Sequence, residues 1–157
     1  MTRSLTTNEL IILKSIYYND IDYDKVVITT EHLFSKLLKR YSAIVFDNTI
    51  VFTERSYKDD FSTGIKSMAL LVHEICHVWQ YQNLNYRWYK AGIEHLKFGK
   101  STYLYNIASR KKLTDFRFEQ QGEIMADYFR IRENMNVNKK IYEEVIYSVI
   151  DKTGKLQ

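Results

Sequence analysis

His73-Glu74-Ile75-Cys76-His77 constrains this chain more than any other stretch, because the pattern has chemical meaning only on a helix. Residues four apart on a helix lie about 40° apart around its axis, so both imidazoles point the same way. Their nitrogens can then take adjacent corners of a tetrahedral zinc site, at about 2.0–2.1 Å from the ion. Glu74 lies about 100° round from His73, off those corners, where a carboxylate can take a proton from the attacking water. That is the general-base role this motif has in zinc hydrolases. Cys76 falls about 60° from His73 on the opposite flank and reads as a small packing residue rather than a thiolate ligand.

The surrounding pattern supports a helix with two different faces. Met68, Leu71, Val72, Ile75, Val78 and Trp79 share one arc of about 120°, centred almost opposite the histidines. The back of the helix should pack on a core, and its front should present His73, Glu74 and His77 to a cleft.

Elsewhere the punctuation is sparse: the chain has no proline and five glycines. Thr6-Thr7-Asn8 offers an N-cap for a helix running to about Tyr18. Val26-Val27-Ile28 reads as a short strand. Ala43-Ile44-Val45-Phe46 and Thr49-Ile50-Val51-Phe52, joined by Asp47-Asn48, read as a hairpin. The motif helix should begin near Phe61-Ser62-Thr63 and end near Leu84. Residues 85–117 look irregular, with Tyr103-Leu104-Tyr105 as a short strand. Long helices are expected from Phe118 to Met135 and from Asn138 to Lys152. The expected fold is α+β, a small antiparallel sheet or hairpin packed on long helices.

Length and composition fit a single domain spanning residues 1–157, since 45% hydrophobic residues can build a core. One cysteine allows no intrachain disulfide, as suits a reducing compartment. Near the N-terminus only Leu10 to Leu13 are strongly apolar, too few for a signal-peptide core, and no run approaches the roughly 18 residues of a membrane span. These features predict a protein that is cytoplasmic as synthesised, without membrane insertion, and exported, if at all, without a signal peptide. The net charge is +4. Its basic clusters (Lys36 to Arg40, Arg110 to Lys112, Lys139-Lys140) are short, and no nucleic-acid-binding signature accompanies them, so no nucleic-acid partner is expected.

A catalytic zinc needs a third protein ligand. A histidine six residues beyond the second is one solution, but position 83 is Asn83, and Gln80 replaces the glycine of that longer motif. The other solution takes a glutamate from a downstream helix. Glu123 is the candidate, with Asp127 one turn on and able to accept a hydrogen bond from a ligand imidazole. Glu119, one turn back on the same stripe, competes for the ligand role, and Glu94-His95 is a further possibility.

Glu123-Ile124-Met125-Ala126-Asp127 resembles the Glu-x-x-x-Asp element of gluzincin metallopeptidases, whose first ligands lie in His-Glu-x-x-His. More narrowly, the stretches from Val72 to Gln80 and from Glu119 to Phe129 are similar to small zinc metallopeptidase-like proteins found with bacterial Rhs and Vgr proteins of type VI secretion. The resemblance covers about residues 42 to 130. It implies a minimal bacterial gluzincin-like domain in which Zn2+ is held by His73, His77 and Glu123, with Glu74 as general base and Asp127 behind the ligands. It implies hydrolysis of amide bonds in a peptide or protein substrate. As partner it implies a secretion-system protein, the chain serving as effector or accessory. Gluzincins also use a Tyr, His or Arg to stabilise the oxyanion; Tyr103, Tyr105 and His95 are candidates. The rival reading is a zinc-stabilised adaptor or binding module, catalytically weak or inert, docked on a secretion component. Such a module would have no use for Glu74.

Overall fold

Glu9 shows how the N-terminal elements are tied to the helix that carries the motif. The computed structural model describes residues 1–31, 41–87, 89–134 and 138–152. Strand β1 (Thr2–Arg3) leads into helix α1 (Thr7–Tyr17), which Thr6 and Glu9 start with a reciprocal capping box. Glu9 is fully buried, and both its oxygens accept from the Arg3 guanidinium at 2.8 Å. It also accepts from the Phe61 N–H at 2.7 Å, so one carboxylate joins β1, α1 and the turn before the motif helix. Removing one partner of such a buried pair typically costs about 3–5 kcal/mol.

The sheet is built from β1, β2 (Val27–Thr29), β3 (Ala43–Phe46) and β4 (Thr49–Phe52), in the order β1-β2-β4-β3. β3 and β4 form the expected antiparallel hairpin, and Asp47 takes a left-handed φ of 55° in its turn. The sheet is not wholly antiparallel as expected: β2 runs parallel to β4, with Ile28 opposite Ile50. A long connection makes that pairing, so no local turn signal announces it. Strand β3 is left at the edge, beside the motif helix.

That helix, α2 (Ile65–Leu84), is preceded by a separate 3-10 turn over Phe61–Thr63. Asn85, with φ of 52°, closes it, and the Tyr86 N–H reaches back to the Gln80 carbonyl at 3.1 Å. The apolar arc is buried as expected, and Tyr17 donates its hydroxyl to the Val72 carbonyl at 2.8 Å. The front of α2 is buried too, because α4 (Phe118–Glu133) packs across it.

The described residues between 85 and 117 hold more regular structure than their sequence suggests. They contain helix α3 (Tyr89–Phe98) and a 3-10 turn over Gly99–Tyr103 in place of a strand at Tyr103-Leu104-Tyr105. The last helix, α5 (Lys139–Ile146), is shorter than expected. Lys36 to Arg40 and Met135 lie outside the described residues. Among the described residues no helix is long and apolar enough to cross a membrane.

Candidate metal centre

Three side chains from two helices converge on one point. His73 and His77 project from adjacent turns of α2, and their Nε2 atoms are 3.2 Å apart. Glu119, in the first turn of α4, places Oε2 at 3.3 Å from His73 Nε2 and 3.5 Å from His77 Nε2. Corners of a tetrahedron with bonds of about 2.0–2.1 Å are separated by about 3.3–3.4 Å. The triangle therefore fits one face of a zinc coordination sphere and leaves the fourth corner open. Among the described residues, these three form the group able to hold a metal ion.

The far nitrogen of each imidazole is occupied, which directs Nε2 inward. Gln80 donates its amide to the Phe118 carbonyl at 3.0 Å and to Gln121 Oε1 at 2.9 Å. Its own oxygen must then face His77 Nδ1, 2.8 Å away, and accept from it. On His73, the atom near Nδ1 is Glu123 Oε2 at 3.5 Å. Outer partners of this kind set tautomer and ring orientation.

Glu123 is thus on the opposite side of the His73 ring from the convergence point, and Glu119 occupies the place expected for it. The reason is the register between the helices. The His73 ring inserts between the two carboxylates, directly over Gly122; a Cβ built there would lie 2.8 Å from His73 Cε1 and Nε2. A second device fixes Glu119 itself. Glu94, reaching from α3, accepts from the Phe118 and Glu119 N–H groups at 3.0 and 3.2 Å and so anchors the first turn of α4.

Asp127 does not bond to an imidazole as expected. It accepts from Arg130 at 2.6 Å and from the Tyr105 hydroxyl at 2.6 Å, and Arg130 also holds Glu123 at 3.0 Å. Asp127 therefore acts on His73 through Arg130 and Glu123. Of the residues considered for the oxyanion, Tyr105 is committed to Asp127 and Tyr142, away from the triangle. His95 and Tyr103 stand beside it: His95 Nε2 is 3.6 Å from Glu119 Oε1 and 3.2 Å from the Tyr103 hydroxyl.

A cleft opens onto these groups between β3 and α3, lined by Glu74, His77, His95, Tyr103 and Glu119. Glu74 is buried and lines the cleft. Burial holds its carboxyl above the usual range, against the pull of His73 and His77. His73 is raised to about 10: burial opposes its charge, but Glu119, Glu123 and Glu74 outweigh it. Glu119 moves the other way, held well below the usual carboxylate range by His77 and His73 despite its burial. Without a metal, the proton on His73 offsets the charge of the neighbouring acids. The set is one of neutral-imidazole and carboxylate donors, the chemistry zinc prefers in catalytic sites.

Gln80, Glu94 and Arg130 take part in ways no sequence pattern announced. Gly122 did leave a signal, since glycine inside a helix points to close approach by a neighbour. Gly122→Ala should therefore displace the His73 ring. The expected cost is about 1–3 kcal/mol of stability from overpacking, together with weakened metal binding. A thermal melt paired with a metal titration checks this, and a variant matching wild type in both would refute the close-approach account.

Comparison with known proteins places this geometry in a context. The chain is 30% identical over 139 residues to the type VI secretion system spike protein VgrG2b of Pseudomonas aeruginosa, a match covering 81% of this chain. The chain spans only 13% of that spike protein. Its fold matches the effector domain of Pseudomonas aeruginosa VgrG2b with a TM-score of 0.75 at 26% identity, over 92% of this chain and 83% of that domain. The chain is homologous to that effector domain. No family model matches it.

Proposed function

We propose that this protein is a zinc-dependent peptidase that acts as a type VI secretion-associated effector. The observation that carries the chemistry is the triangle of His73 Nε2, His77 Nε2 and Glu119 Oε2, with sides of 3.2–3.5 Å and one corner open to the cleft. Zinc held there supplies Lewis acidity, polarising a scissile carbonyl and lowering the pKa of water towards about 7. Glu74 accepts the proton of the attacking water and later passes it to the leaving amine. Its raised pKa, a consequence of burial, suits both halves of that task. Tyr103 keeps its phenolic proton, because burial and the nearby Glu119 and Glu74 charges push its pKa up, and it can donate to a developing oxyanion.

Glu74 also weighs against the adaptor reading. Burial at the cleft disfavours the charged form of this carboxylate, and a purely structural site would gain nothing from it. The secretion context rests on likeness to the VgrG2b effector domain; delivery through a secretion machine would need no signal peptide.

A bacterial lysate treated with wild-type protein should yield new peptide N-termini, and none after chelation. Their sequences would name the cleavage preference. Identical termini with and without chelator would overturn the metallopeptidase assignment.

A further inference from the structure

The outward face of α3 is apolar where a soluble surface should be polar. Tyr89, Ile93 and Leu96 recur at i, i+4 and i+7, and are 49%, 55% and 89% exposed. Leu104, just past the next turn, is 70% exposed. The inward side of the same helix carries Glu94 and His95, which reach α4. Contiguous protruding side chains of this kind mark a contact surface.

The charge of this segment of the chain is almost all of one sign. From Arg87 to Lys112 the sequence holds seven basic residues and one acid. The acid, Glu94, is turned inward onto the start of α4. This segment carries more positive charge than the +4 of the whole chain. Lys97 and Lys100 are exposed beside Leu96.

We infer that α3 and the Leu104 turn form a docking surface for an anionic lipid bilayer. A helix with apolar residues on one face and flanking lysines lies in a membrane interface, its apolar side chains entering the acyl boundary and its cations meeting lipid phosphates. The degree of exposure of these leucines favours lipid over a folded acidic protein. Leu96 and Leu104 stand well clear of the protein, and a fluid bilayer accommodates such side chains without a matching cavity. Gly92, His95 and Tyr103, neighbours in sequence of the protruding residues, line the cleft. Docking would hold the protein, with the cleft on the inward side of α3, close to membrane-associated protein substrates.

Co-sedimentation of the full chain with vesicles tests this. Binding is expected with phosphatidylcholine–phosphatidylglycerol vesicles, falling as salt rises, and not with phosphatidylcholine alone. Leu96→Ser with Leu104→Ser should weaken partitioning at least about tenfold. Lys97→Gln with Lys100→Gln should weaken it by about fivefold per lysine. Both pairs should keep the wild-type melting temperature and activity on soluble peptides. Absent binding, equal binding to neutral vesicles, or binding unchanged in the Leu96→Ser, Leu104→Ser protein would overturn the inference. So would association with polyglutamate or duplex DNA and none with vesicles.

Discussion

Glu74→Gln is expected to lower peptide hydrolysis by about 10²–10⁴-fold, the usual loss when a general base is removed. Zinc content and melting temperature should stay at wild-type values. Glutamine keeps the size of the side chain and can still hydrogen-bond to a water in the cleft, but it cannot accept that water's proton. Glu74 is not one of the three converging groups, so its charge is not needed to hold the ion. The neutral amide also removes a carboxylate that burial already disfavours, so the fold should not suffer. An adaptor predicts a different result: no hydrolysis in the wild type and partner binding indifferent to the substitution. Assaying both proteins on one peptide, with metal content measured on the same preparations, separates the readings. Full activity in Glu74→Gln would end the proposed mechanism.

Removing the metal should lower the melting temperature by an amount on the order of 10 °C. A ligand that binds only the folded state at a free concentration a thousand times its dissociation constant adds about 4 kcal/mol. For a domain of this length each kcal/mol corresponds to about 2–4 °C. The stabilisation arises because the site joins α2 to α4, which are distant in sequence. The metal-free protein should nonetheless stay folded. His73, raised to about 10 by its carboxylate neighbours, carries a proton at neutral pH and keeps its pairing with Glu119 and Glu123. Scanning calorimetry before and after verified metal removal checks the shift. An unchanged melting temperature would contradict the bridging role.

The features of the fold and site that are legible in the sequence are those fixed by local periodicity. The spacing of His73 and His77 required a helix, and the arc from Met68 to Trp79 identified its buried side. The Asp47-Asn48 turn located the hairpin. What periodicity could not fix was the register of one helix against another. Glu119 and Glu123 fall on one stripe of α4, and either could face the histidines. The choice is made by Gly122, which admits the His73 ring between them, and by Glu94, which anchors the first turn of α4 from a separate helix. With Asp127 and Arg130 alongside, the stripe has the composition of a solvated face, yet Glu119 is buried, because α4 lies across the front of α2. Helix α3 escaped notice because its apolar residues point outward and do not mark a core face. The parallel pairing of β2 with β4 depends on a long connection and has no local signature.

The third ligand is the point on which the site depends, and metal analysis of two isosteric variants decides it. Glu119→Gln replaces a converging carboxylate with a neutral amide, and the purified protein should lose its zinc. Glu123→Gln can still accept from His73 Nδ1 through its amide oxygen, and should keep about one zinc per chain with affinity lowered by no more than about 10–100-fold. Zinc retained in Glu119→Gln and lost in Glu123→Gln would contradict the arrangement described here.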